Sequence, residues 1–135
     1  KNFRHVPLMN IDPMLSAADV MVTDVSSVAL EFIILDKPVI YIDCPEFFEK
    51  TLSKVYTGFG ETTAELVKND PKANEVMHTG IVVEEINELS SVVKRCLSKP
   101  EEFSHKRKEL AKKLSYNPGH AGEFAAETIM KILNI

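Results

Sequence analysis

The strongest candidate for a functional site in the sequence is a pair of adjacent serines that closely follows an aspartate. Asp24, Ser26 and Ser27 come directly after a short apolar run and before a helix-forming stretch. A helix start presents unpaired backbone N–H groups and the positive end of the helix dipole, and both attract anions. Serine hydroxyls rotate to donate hydrogen bonds to phosphate oxygens. These residues therefore predict a phosphate site, although serine is also a preferred helix cap and aspartate a common turn residue.

A second candidate, Glu31, lies four residues after Ser27, which is about one helical turn further along the same face. A carboxylate accepts two hydrogen bonds, so it suits the two hydroxyls of a ribose that adjoins a phosphate. The alternative is an exposed carboxylate that the helix dipole favours near the start of a helix. The residue alone does not decide between these two interpretations.

The other polar groups point less clearly to chemistry. The four histidines are scattered without the spacing of a metal site, so we expect no metal ion. The basic stretch 105–113 is interpreted as a solvated helix face, and contact with anionic lipid is the alternative.

The elements that must position these residues are those of a parallel α/β fold. The runs 20–22 and 39–42 are short and continuously apolar, as is typical of strands that are covered on both faces. A capped helix between them completes a β–α–β unit. With further strands at 3–6 and 81–83, we expect about four mostly parallel strands with flanking helices.

The apolar spacing also predicts the remaining helices. They begin at Asp12, with the aspartate as cap, at Asn87 and at Pro100. The last helix, 121–133, is expected to pack its Phe124, Ile129 and Ile132 side against the domain, with part of its apolar face left exposed. The stretch from about 44 to 79 is expected to hold loops and short helices.

Composition restricts the class of protein. With 135 residues the chain is one domain, and 16 Lys plus Arg against 20 Asp plus Glu give a net charge of −4, which does not suit a nucleic-acid partner. No apolar run has the length of a membrane-spanning helix. The two cysteines form neither a disulfide framework nor a zinc spacing, which indicates a reducing compartment such as the cytoplasm.

The run 18–31, followed by Lys37-Pro38-Val39-Ile40, resembles the CDP-glycerol glycerophosphotransferase family. This is the teichoic-acid primase and polymerase group, built on the GT-B fold. The resemblance is specific over 16–43, where Val25 replaces the family's usual tyrosine, and looser over most of the rest. It implies the C-terminal, donor-binding part of an enzyme that moves glycerol phosphate from CDP-glycerol to a polyol-phosphate acceptor.

The resemblance also assigns roles to residues. The turn at Asp24, Ser26 and Ser27 corresponds to a diphosphate cradle, and Glu31 to a residue that holds ribose. The loop at Leu8 lies where related enzymes hold the nucleobase, and the looser match at 117–121 adds Gly119 to the substrate contacts. No cofactor is implied.

The family's catalytic histidine belongs to an N-terminal domain that this sequence does not contain. We therefore expect residues 1–135 to be a single Rossmann-like, nucleotide-diphosphate-binding domain from a longer two-domain protein, inactive by itself. The membrane-anchored acceptors of the family imply a cytoplasmic protein that can lie on the inner face of the membrane.

Two other functions are compatible with these residues. One is a nucleotide-sugar glycosyltransferase or a UDP-sugar epimerase of the same fold, which would share the diphosphate and ribose contacts. The other is a nucleotide-binding module without turnover.

Overall fold

A computed structural model describes residues 3–7, 10–24, 26–44, 75–117 and 119–134. Its centre is a parallel sheet of three strands, β1 (Met21–Thr23), β2 (Val39–Ile42) and β3 (Ile81–Val83), in the order β1–β2–β3. Sequential order of neighbouring parallel strands is that of one half of a doubly wound sheet. The predicted α/β fold class is therefore confirmed, and all three strands lie within one residue of their predicted positions.

A helical segment occupies 75–77, and five helices have both ends within the described residues. They are α1 (Asp12–Ala17), α2 (Val28–Ile34), α3 (Leu89–Ser98), α4 (Ser104–Leu114) and α5 (Ala121–Leu133), with a 3-10 turn at Ile86–Glu88 before α3. The predicted helix starts were less accurate than the helices themselves. Asp12 is the first helical residue rather than the cap, and Asn87 lies inside the 3-10 turn. Of the stretch 44–79, predicted to hold loops and short helices, residues 75–79 contain a short helical segment and a turn, as predicted, and residues 45–74 lie outside the described residues.

The central strand β2 is buried on both faces of the sheet. Val39 and Tyr41 pack with residues of α2 and α4, namely Ala29, Phe32, Ile33 and Leu110. Ile40 points to the opposite side, where it packs with Val83 of β3 and Cys96 of α3. This alternation follows from the pleat, which sends successive side chains to opposite faces. Helices on both sides explain why the sequence of β2 reads as a continuous apolar run.

A glycine permits the close approach of β3 to β2. Gly80 directly precedes β3, and a Cβ atom at that position would lie 2.1 Å from the carbonyl oxygen of Val39. No side chain fits at such a distance, because the obstructing atom belongs to the backbone of the central strand. The neighbouring Thr79 hydroxyl donates to the Val76 carbonyl at 2.6 Å and lies 3.0 Å from the Tyr41 hydroxyl. Since its one proton is used, Thr79 accepts from Tyr41, whose pKa is raised by burial.

The fourth predicted strand, at 3–6, was wrong. Residues 3–7 pair with no strand in the described part of the chain, and every one of them is exposed. A short strand is stable only when a neighbour satisfies its backbone hydrogen bonds. Without such a neighbour this segment does not join the sheet.

The burial predicted for the last helix was also wrong. Helix α5 has its predicted bounds, but all its residues are exposed, including Phe124, Ile129 and Ile132. The faces of β2 are covered by α2, α4 and α3, and α5 takes no part in either core cluster. Its ring contact is with Tyr116, edge to face with Phe124 at 5.3 Å between centroids.

Two negative findings hold for the residues that the structure describes. No helix among them combines the length and apolar character needed to span a membrane. No three His, Cys, Asp or Glu side chains among them lie close enough together to hold a metal ion.

Candidate functional site

The predicted phosphate site lies in the connection from β1 to α2. β1 ends at Thr23 and α2 begins at Val28, so Asp24, Ser26 and Ser27 occupy the turn that follows the carboxyl end of a parallel strand. Asp24 and Ser27 are exposed, and Ser26 is half-buried. In open α/β sheets, ligands bind in the crevice outside this edge. The structure thus brings these three residues into a single accessible turn.

The two serines have different roles at the start of α2. The Val28 N–H donates to the Ser26 side-chain oxygen at 3.3 Å, so Ser26 performs the local capping. Ser27 stands at the N-cap position but makes no capping hydrogen bond with its side chain. Both hydroxyl protons can therefore be directed towards a ligand, because Ser26 uses an oxygen lone pair and Ser27 uses neither.

Backbone groups complete this turn. The Ala29 N–H donates to the Ser26 carbonyl at 3.2 Å, and the Leu30 N–H donates to the Ser27 carbonyl at 3.0 Å. These bonds satisfy two of the amides in the first turn of α2. A phosphate in this turn would rely on the serine hydroxyls as well as on the helix start.

Glu31 lies in the first turns of α2 and is exposed. It forms no ion pair with any residue in the described ranges. Because residues four apart share a helix face, its carboxylate lies about one turn from Ser27. The arrangement agrees with an acid that is available to a ligand beside the turn, as well as with a carboxylate favoured by the helix dipole.

The other two predicted contacts are not joined to this turn. Leu8 lies outside the described residues. Gly119 is exposed in the turn before α5, where its φ of +85° is a conformation that favours glycine. Within the described ranges, α5 packs extensively against no other element, and no hydrogen bond links Gly119 to the β1–α2 turn. The roles of Leu8 and Gly119 therefore stay predictions.

Charged groups that the sequence did not predict to interact form a hydrogen-bonded cluster at the C-terminal end of α2. Arg107 of α4 is 1% exposed, although the sequence was interpreted as placing it on a solvated face. Its guanidinium donates to the Asp36 carboxylate at 3.0 Å and to the Asp36 carbonyl at 3.1 Å. It also donates to the carbonyls of Pro100 and Glu102, at 2.7 and 3.1 Å. The solvated-face interpretation was therefore wrong for this residue.

Asp36 receives two further donors from α4. The Ser104 hydroxyl donates to its carboxylate at 2.8 Å, and the Lys108 ammonium lies 3.1 Å away. Partial burial acts to raise the pKa of this carboxyl. The donors Ser104 and Lys108 and the charge of Arg107 outweigh that effect, so its pKa lies below the ordinary value.

The next residue, Lys37, forms hydrogen bonds with a different helix, α1. Its ammonium donates to the carbonyls of Ser16 and Ala18, at 2.5 and 2.8 Å, and more distantly to that of Leu15. These carbonyls belong to the C-terminal end of α1, where a cation is favoured by the helix dipole. The turn between α2 and β2 is thus fastened to both α1 and α4.

The comparison with known families concerns this same region. Residues 6–61 match the family described as CDP-Glycerol:Poly(glycerophosphate) glycerophosphotransferase. The matched range is less than half of the chain, and it contains β1, the β1–α2 turn, α2, β2 and Leu8. No curated protein and no solved structure matches the chain. The match confirms the resemblance seen in the sequence and supports a transferase.

Proposed function

We propose that this protein takes part in transferring glycerol phosphate from CDP-glycerol to a hydroxyl of a polyol-phosphate acceptor. The main support for this proposal is that the family match and the candidate phosphate site cover the same part of the chain. The range that matches the glycerophosphotransferase family contains the β1–α2 turn, in which Asp24, Ser26 and Ser27 follow the carboxyl end of a parallel strand. Open α/β sheets generally bind ligands at that edge.

The turn would act on the charge of the diphosphate. The acceptor oxygen attacks the phosphorus that carries glycerol, the bond to the CMP phosphate breaks, and negative charge grows on the departing CMP. Hydrogen-bond donors that are already oriented stabilise such charge without reorganising during the reaction. The dipole of α2 would supply fixed electrostatic stabilisation, the hydroxyls of Ser26 and Ser27 would rotate to donate hydrogen bonds, and Asp24 would help to shape the turn.

The remaining contacts would recognise the nucleoside. Glu31 would accept hydrogen bonds from the ribose hydroxyls, since its carboxylate is exposed about one turn beyond Ser27. Leu8 would contact the base, and Gly119 would allow its turn to approach the donor closely. The proton of the acceptor would go to a base outside this sequence, in an N-terminal domain.

Contact with a membrane receives less support than the donor site. In the basic stretch of α4, Arg107 is buried, Lys108 pairs with Asp36, and Lys113 pairs with Glu75. The positive charge that can face anionic lipid is therefore smaller than the sequence suggested. The proposed location is that of a cytoplasmic protein on the inner face of the membrane.

A donor comparison tests the proposed function. The intact protein is incubated with a polyol-phosphate acceptor and either CDP-glycerol or UDP-sugars, and release of CMP or UDP is measured. We expect CMP release that depends on acceptor with CDP-glycerol, and no UDP release. Turnover of UDP-sugars without turnover of CDP-glycerol would contradict the proposal and favour a glycosyltransferase or epimerase.

A further inference from the structure

We propose that Arg107 is a positioning residue for the β1–α2 turn and that it acts through Asp36. This inference rests on the proposed function, because it assumes that the turn binds the nucleotide. Arg107 itself belongs to α4 and would touch neither donor nor acceptor. Its role would be to set the orientation of α2, whose start carries the serines.

The length of α2 makes this transmission direct. The helix has seven residues, so its ends are about 10 Å apart. Asp36 follows its last residue by two positions, and the Asp36 N–H donates to the Ile33 carbonyl at 2.9 Å. A helix this short behaves as one rigid piece, and a change of direction at Asp36 therefore moves the turn at Ser27.

The apolar contacts of α2 do not define its orientation by themselves. Phe32 and Ile33 pack with Leu110 of α4 in the core. Hydrophobic contact is not directional, so it restrains the angle between two helices less tightly than hydrogen bonds do. Hydrogen bonds to a planar guanidinium are directional and fix one geometry.

Arg107 supplies four such bonds to two separate turns. The acceptors are the carboxylate and carbonyl of Asp36 and the carbonyls of Pro100 and Glu102. Each turn also holds a residue other than glycine in the left-handed region, Asp36 with φ of 54° and Phe103 with φ of 75°. One buried side chain thus ties the end of α2 to the start of α4, with both turns held in uncommon conformations.

The test measures nucleotide affinity and stability on the same samples. Arg107→Met removes the donors, and Asp36→Asn removes the carboxylate while keeping a residue that tolerates positive φ. Val83→Ala is the control, because Val83 is buried against α3 and lies away from α2. Calorimetric titration with CDP gives the dissociation constant, and denaturant unfolding gives the stability.

We expect Arg107→Met and Asp36→Asn to raise the dissociation constant for CDP by at least about threefold, a typical size for coupling within one hydrogen-bonded network. Arg107→Lys should fall between Arg107→Met and the unaltered protein, since it keeps the charge but not the planar fork. Val83→Ala should lower stability and leave the dissociation constant unchanged.

Two results would overturn the inference, and they differ. If Arg107→Met and Asp36→Asn lose stability but bind CDP as the unaltered protein does, Arg107 is structural only and the proposed function stands. If the unaltered protein does not bind CDP, both the proposed nucleotide site and the positioning role of Arg107 are contradicted. Should Arg107→Met fail to fold, Asp36→Asn and Ser104→Ala decide the question, because each removes fewer bonds.

Discussion

Asp36 and Lys37 are adjacent in sequence, yet their side chains hold two different helices. The Asp36 carboxylate accepts hydrogen bonds from Ser104 and Arg107 of α4, and the Lys37 ammonium donates to carbonyls at the end of α1. The turn that joins α2 to β2 is consequently a junction of three helices. The same turn fixes the far end of the helix whose start carries the candidate site.

Lys37→Met should destabilise the protein by about 1 kcal/mol. The variant leaves the last carbonyls of α1 without the ammonium that they accept from, and a half-buried group of this kind is worth less than a fully buried one. Chemical denaturation measures the change. Lys112→Met is the control, because Lys112 is exposed and makes no ion pair within the described ranges. An equal loss in both variants would show that the α1 contacts contribute nothing.

The pH dependence of stability should contain a contribution from Asp36. Its pKa in the folded protein lies below the ordinary value of 3.8, so folding favours the ionised form. This stabilisation is complete above pH 3.8 and is lost as the pH falls below it through the folded pKa. The free energy of unfolding should therefore depend less on pH in this acidic window for Asp36→Asn. Identical acid profiles for the variant and the unaltered protein would refute the assignment.

Gly80→Ala should be strongly destabilising, by about 1–3 kcal/mol or more, because the new methyl group meets the backbone of β2 rather than a movable side chain. The matched control is Gly122→Ala in α5, where a Cβ atom would meet nothing within 4 Å. Alanine there should leave stability unchanged or raise it by less than about 0.5–1 kcal/mol, the value for a helix interior, because Gly122 lies in the first turn. Thermal melts compare the two variants. Equal midpoints would show that β3 does not approach β2 as closely as described.

Local elements of this structure could be predicted from the sequence, whereas contacts between distant residues could not. β2 was predicted residue for residue, because helices cover both of its faces and its apolar run is uninterrupted. The Asp36–Arg107 pair could not be predicted, since the two residues are 71 positions apart and local spacing does not reveal such partners. The predicted strand at 3–6 rests on Phe3 and Val6 alone, and a strand also needs a neighbour that satisfies its backbone hydrogen bonds.

In the candidate site, too, the local pattern could be predicted from the sequence but the individual hydrogen bonds could not. The order of strand, Asp24, two serines and helix is a local pattern, and the structure places these residues in one turn, as predicted. The sequence could not distinguish which serine caps the helix, because both are good caps and backbone geometry decides between them. The structure assigns that bond to Ser26.

Glu31→Gln should separate ribose recognition from phosphate recognition. The substitution weakens the acceptor for ribose hydroxyls, so CDP affinity should fall by severalfold, while inorganic pyrophosphate should bind nearly as before. Glu127→Gln on α5 is the control for loss of an exposed helical carboxylate. Equal weakening of both ligands would indicate a general charge effect rather than a contact to ribose.

The double variant Ser26→Ala, Ser27→Ala tests the central claim most directly. Hydrogen bonds to a charged phosphate contribute roughly 1.5–3 kcal/mol each, so CDP affinity measured by calorimetric titration of the intact protein should fall by at least about tenfold. Binding should not vanish, because the dipole of α2 remains and the Val28 N–H loses its serine acceptor and becomes available. A thermal melt of the same samples reports the capping contribution of about 1 kcal/mol separately. An unchanged CDP affinity alongside a lower melting temperature would show that the serines only cap α2 and would contradict the nucleotide site.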